Sequence, residues 1–196
     1  NPGTDDSIGF GLSGVNFALA ILSDRADANR SWTSLQMTAD EVAFSGLTGV
    51  TISADTISVV VNTASVDGRL IDYASQGLEI KTGSSTSITL DMNASRGELV
   101  EASGNLDIDV FGFFQVSGGF ALSKSTGTIT LSDTAATEVT VDQLTLGASN
   151  VSAFAGIAGG TVDAVGLELT DVEFALGIFS DQADPTRTWT ALQATA

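Results

Sequence analysis

"VTISADTISVVVN" (50–62) alternates apolar and polar residues and changes phase once: Val50, Ile52 and Ala54 take one side, then Ile57, Val59 and Val61. A period of two belongs to a strand with one buried face. The same alternation fills "NLDIDVF" (105–111), with Leu106, Ile108 and Val110 opposite Asp107 and Asp109, and it returns in "GTITLSD" (127–133) and "TEVTVDQLTL" (137–146). "GLEIKTG" (77–83) and "SITLDMN" (87–93) add two more candidates, separated by the polar turn "GSSTS" (83–87). Thr, Val and Ile dominate these runs, Gly, Asn, Asp and Ser punctuate them, and helix signals are nearly absent. The reading is all-β.

The chain then repeats itself. "FALAILSDRADANRSWTSLQMTA" (17–39) returns as "FALGIFSDQADPTRTWTALQATA" (174–196), an offset of 157, and 18 of the 32 positions from 8/165 to 39/196 are identical without a gap. Matching continues upstream through Gly3/Gly160, Thr4/Thr161 and Asp6/Asp163, so residues 1–159 form one unit of about 157 residues and 160–196 start the next. "VSGGFALSKSTGTITLSD" (116–133) holds a third Phe-Ala-Leu, and "LVEASGNLDIDVFG" (99–112) resembles both "VTISADTISVVVN" and "LTLGASNVSAFAG" (144–156), which divides the unit into about three sub-modules of roughly 50 residues. No Pro-rich or charged linker separates the copies, so the expected architecture is an elongated, repeat-built antiparallel sandwich-like rod; a β-solenoid of parallel coils is the alternative. "FALAIL" (17–22) and "FALGIF" (174–179) are apolar throughout, which places them where both faces are covered.

Composition narrows the chemistry. With 24 Asp and Glu against 7 Lys and Arg, the net charge of −17 repels nucleic acid and anionic lipid and attracts cations. Cys and His are both absent, which excludes disulfides, thiolate zinc sites and imidazole bases. No apolar run is long enough to span a bilayer as a helix, so no membrane insertion is expected. Ser-x-x-Lys, a Gly-rich loop opening a helix and a glycosidase-like carboxylate pair are also missing, and the chain reads as no enzyme. A start at Asn1 reads as the inside of a longer protein, with any export signal outside it.

Two candidate sites stand out. "SDRADANR" (23–30) and "SDQADPTR" (180–187) keep Ser-Asp-x-Ala-Asp-x-x-Arg while their neighbours change, which marks Asp24, Asp27, Asp181 and Asp184 as candidate Ca2+ ligands or as turn caps paired with Arg30 and Arg187. Trp32 and Trp189 follow in "WTxLQ", positioned either to stack on a glycan or to close the edge of the core. Tyr73, in "LIDYA", reads as no more than a strand position.

"ASGNLDIDVFGFFQVSGGFAL" (102–122) and "FSGLTGVTISADTISVVVNTA" (44–64) resemble the repeated β-rich segments of very large bacterial surface or secreted proteins, the giant adhesin-like exoproteins. The resemblance implies an extracellular or cell-surface location and a structural spacer, fibre or matrix role, with glycan or cell binding as the alternative. Its expected partners are neighbouring repeats of the same chain, and its open terminal strands would favour end-to-end association promoted by salt or calcium.

Overall fold

The computed structural model describes residues 8–196, so the counterparts Gly3, Thr4 and Asp6 lie outside the described residues. The chain builds one large sheet. β1 (Gly9–Ser13) and β2 (Asn16–Ser23) are two stretches of one edge line, and both pair with the same side of β3 (Ser31–Ser45). From β3 the sheet proceeds in chain order through β4 (Val50–Asn62), β7 (Leu99–Val110), β8 (Phe114–Thr130), β9 (Glu138–Ile157), β10 (Val165–Asp181) and β11 (Thr188–Thr195). Residues 63–98 leave it between β4 and β7 as an excursion that carries a small hairpin, β5 (Leu78–Lys81) with β6 (Ser87–Leu90).

Every pair in the large sheet is antiparallel. A solenoid stacks parallel coils, and no parallel pair occurs among the described residues, so that alternative is corrected to an open antiparallel meander. Short turns explain the topology, because antiparallel neighbours need only a hairpin between them. Between β7 and β8, for example, Phe111 (φ 54) and Gly112 (φ 66) reverse the chain while the Asp109 carboxylate accepts the Gly112 N–H at 2.7 Å.

Pairing aligns the apolar residues into rows. One runs Phe17, Met37, Val59, Ala102, Leu122, Leu146, Leu176, Leu192 across all eight strand positions. The next runs Leu19, Leu35, Val61, Val100, Lys124, Leu144, Ile178, Thr190. β7 pairs with β8 without a register break, so Val100, Ala102, Gly104, Leu106, Ile108 and Val110 share one face along its full length. Glu101, Ser103, Asn105, Asp107 and Asp109 take the other. The sheet therefore has an apolar face and a polar face.

Kinks cross the sheet near mid-strand. Register shifts fall at Asp55/Ser58, Ser117/Gly119 and Leu169/Val172, beside the left-handed residues Thr56 (φ 54), Gly118 (φ 151) and Asp171 (φ 55). The phase change inside β4 is one of these bulges. Gly14 (φ 59), at the β1–β2 break, is the counterpart of Asp171 at the offset of 157, so both copies bend at the same place.

The two copies also share their hairpin register: Phe17 faces Met37 and Phe174 faces Ala194, each partner again 157 residues on. Yet the row that starts at Phe17 reaches β10 at Leu176, two residues beyond Phe174. Across six strands the register thus slips by two residues, about 7 Å along the strand. An even slip keeps every apolar residue on its face, where a slip of one would invert the strand.

The densest packing lies on the polar side of β2 and β3, beneath the excursion. Tyr73, Leu90, Met92 and Leu99 bury Ala18 and Ala20, flanked by Leu22, Val60 and Ile88. Two expectations are corrected here. Tyr73 is no strand residue: it is 3% exposed at the centre of this cluster. "FALAIL" is covered on one face alone, since Ala18 and Ala20 are buried while Phe17, Leu19 and Ile21 are 56%, 45% and 72% exposed. The β2 side chains on the covered face are small, which lets the excursion approach closely.

Candidate functional site

The loops between β2 and β3 and between β10 and β11 fold the same way. In each, the first Asp caps the turn: Asp24 Oδ1 accepts the Ala26 N–H at 2.8 Å, and Asp181 Oδ1 accepts the Ala183 N–H at 2.7 Å. The second Asp repeats the motif, with Asp27 Oδ1 accepting the Asn29 N–H at 3.1 Å and Asp184 Oδ1 the Thr186 N–H at 3.2 Å. Backbone bonds close both loops, Asp24 N to Arg30 O and Asp181 N to Arg187 O, each at 3.1 Å. These are Asx turns, the local geometry for which Asp is chosen.

The arginine fills the space between the carboxylates. Arg30 Nη1 lies 3.1 Å from Asp24 Oδ2 with its Nε 4.0 Å from Asp27, and Arg187 binds Asp181 Oδ2 through Nε at 2.9 Å and through Nη2, with Asp184 again at 4.0 Å. The Ala26 N–H and then the Arg30 guanidinium hold the Asp24 carboxyl below its ordinary 3.8, and Arg187, followed by the Ala183 and Asp184 N–H groups, does the same for Asp181. Both guanidiniums are raised in return. The structure thus brings Asp24 to Asp27 and Asp181 to Asp184, each pair around its own cation, and the two pairs sit six strands apart. A calcium ion in either loop would have to displace the arginine. Among the described residues no cluster of three or more Asp, Glu, His or Cys side chains has metal-holding geometry.

Where the loops differ, the excursion is the cause. Arg30 Nε sits 2.9 Å from Asp67 Oδ2, and Asp67 is in turn held by Ser65 and Arg69. The Ser65 hydroxyl is the main reason the Asp67 carboxyl also lies below 3.8. Trp32 Nε1 donates to Arg69 O at 2.9 Å, Tyr73 Oη to Ser34 Oγ at 3.0 Å, Ser34 Oγ to Asn62 Oδ1 at 3.0 Å, and Asn62 Nδ2 to Ile71 O at 3.1 Å. This is a satisfied polar chain that fixes the excursion on the sheet. Sequence reading missed it because none of these partners is local; Tyr73 and Ser34 are 39 positions apart.

At the second copy the same surface is open. A groove of ≈ 570 Å³ includes Ala175, Gly177, Phe179, Ala191 and Gln193, the counterparts of Ala18, Ala20, Leu22, Ser34 and Gln36. Arg187 turns its Nε to Asp181 and lays its guanidinium 5.8 Å from the Trp189 ring centroid. Trp32 and Trp189 are both half-buried, the first tied by its indole N–H and the second roofed by arginine.

Comparison with known proteins gives no matching family model, no similar curated protein and no similar solved structure. No helix among the described residues is long and apolar enough to cross a membrane.

Proposed function

We propose that the chain is a non-catalytic section of an extracellular repetitive protein, a spacer or fibre element whose units join through strand pairing. The observation that carries this reading is a pair of glycines. At Gly166 an added Cβ would stand 2.4 Å from Ala155 O and 2.7 Å from Gly156 Cα, so β10 can lie against β9 only with glycine there. Its counterpart Gly9 sits on the free edge of the sheet with nothing within 4 Å of an added Cβ. Glycine weakens a strand interior, and nothing among the described residues requires it at position 9. A neighbouring strand like β9 would.

Composition and the resemblance to giant adhesin-like exoproteins favour an extracellular or bacterial cell-surface setting. In this reading the acidic loops are closures at the sheet rim. Adding one complete unit ahead of Gly9 tests the proposal: Gly9→Val is expected to be nearly neutral in the chain as it stands and to become as disruptive as Gly166→Val in the extended one. Neutrality of Gly9→Val in both chains would refute strand-paired joining.

A further inference from the structure

The apolar face remains open along the whole sheet, and we propose that it pairs with the same face of a second copy to form a two-layer sandwich. On β2 it exposes Phe17, Leu19 and Ile21, and beyond the kinks Phe10, Leu167 and Leu169 continue it, at 65%, 66% and 46% exposure. A sheet with one apolar face must cover it, and the excursion lies on the opposite side.

Area argues for a partner of equal size. Eight strand positions at about 4.8 Å, by about twelve residues at about 3.3 Å, give a face of about 1,500 Å² per copy. Pairing would remove more than about 2,000 Å² in total, the range of permanent dimers. A monomer rarely carries so large an apolar patch uncovered.

Charge and relief point to a second copy of this chain. In the rows from Phe17 to Leu192 and from Leu19 to Thr190, Lys124 is the one charged side chain. Among the acidic groups of the central strands, Glu101, Asp107 and Asp109 occupy the reverse face, while Asp142 and Glu138, in register with Thr126 and Thr130, lie at the rim of the apolar face beyond Lys124. The acid of β7 therefore points outward when the apolar faces meet, leaving Asp142 and Glu138 at one end of the contact, beyond Lys124. The surface also offers holes for its own knobs. Gly104 leaves a depression of ≈ 290 Å³ bordered by Ile57, Ala102, Leu106, Phe120 and Leu122, while Phe17 and Phe10 project. Such self-complementarity suits a two-fold contact, in which each surface serves both copies, with strands crossing at about −30° and layers about 10 Å apart.

Sedimentation equilibrium of the full chain is the test. A dimer of the 20.0 kDa chain is expected, persisting at high salt, and Leu122→Asp should shift it to monomer whereas Ser103→Asp on the reverse face should not. Because Leu122→Asp can also unfold the sheet, a second readout uses the absence of cysteine. Leu146→Cys should be protected from maleimide in the assembled protein and react on dilution, while Thr145→Cys on the reverse face reacts throughout. A monomer at high micromolar concentration with both thiols equally reactive overturns the proposal. So does Leu146→Cys protection that arises only when phosphatidylcholine vesicles are added, which would make a lipid surface the occupant.

Discussion

Gly9 and Gly166 are one residue in two copies of one strand, and their surroundings set opposite expectations. Gly166→Val would drive a side chain into the backbone of Ala155 and Gly156 and should cost about 1–3 kcal/mol or more. Gly9→Val meets open space and should stay within about 0.5 kcal/mol of the wild type. Urea midpoints of the two variants check this. The clamped aspartates act at the same scale. Asp24, Asp67 and Asp181 have their carboxyls held below 3.8 in the folded chain, so their contribution is complete above that value and is lost as pH falls through the lower folded values. With no histidine in the chain, melting temperature should stay flat from about pH 7 to pH 5 and fall steeply below about pH 4. Arg187→Ala should flatten part of the acid limb. An acid limb unchanged by that substitution would show that the clamp contributes nothing.

At the scale of elements, the excursion is the part that supplies a local core. Leu90 is fully buried against β2, so Leu90→Ala should cost about 2–5 kcal/mol. Tyr73→Phe removes one hydrogen bond while Ser34 keeps Asn62, and about 1 kcal/mol is expected. Thermal or urea unfolding of both variants tests the ranking. The strands of the sheet were legible because each carries its own alternation; β4 even displayed its bulge as a change of phase between Ala54 and Ile57. The excursion was not legible, since "LIDYA" has no period and Tyr73 is held by Ser34 from a distant strand. Nor was the open side of "FALAIL": an unbroken apolar run implies two covered faces, but Ala18 and Ala20 are small for a different reason, to let Leu90 and Tyr73 approach. The sub-period of roughly 50 residues has a structural irregularity as well. β4 runs opposite to β7, although their sequences resemble each other, and residues 63–98 lengthen just one of the three strand pairs between β2 and β10.

Across the whole molecule the central claim is that units add strands to one sheet. The even register slip keeps the apolar residues on one face from β2 to β10, the kinks at Gly14 and Asp171 recur in phase, and Gly9 on the edge strand has the open space that its counterpart Gly166 lacks. The most direct measurement is small-angle scattering of this chain and of the same chain lengthened by one 157-residue unit. Six added strands at about 4.8 Å should lengthen the particle by about 29 Å at unchanged cross-section. Separate compact domains on a linker would instead add about 40 Å or more, with the broad distance distribution of a jointed chain, and that result would contradict the account.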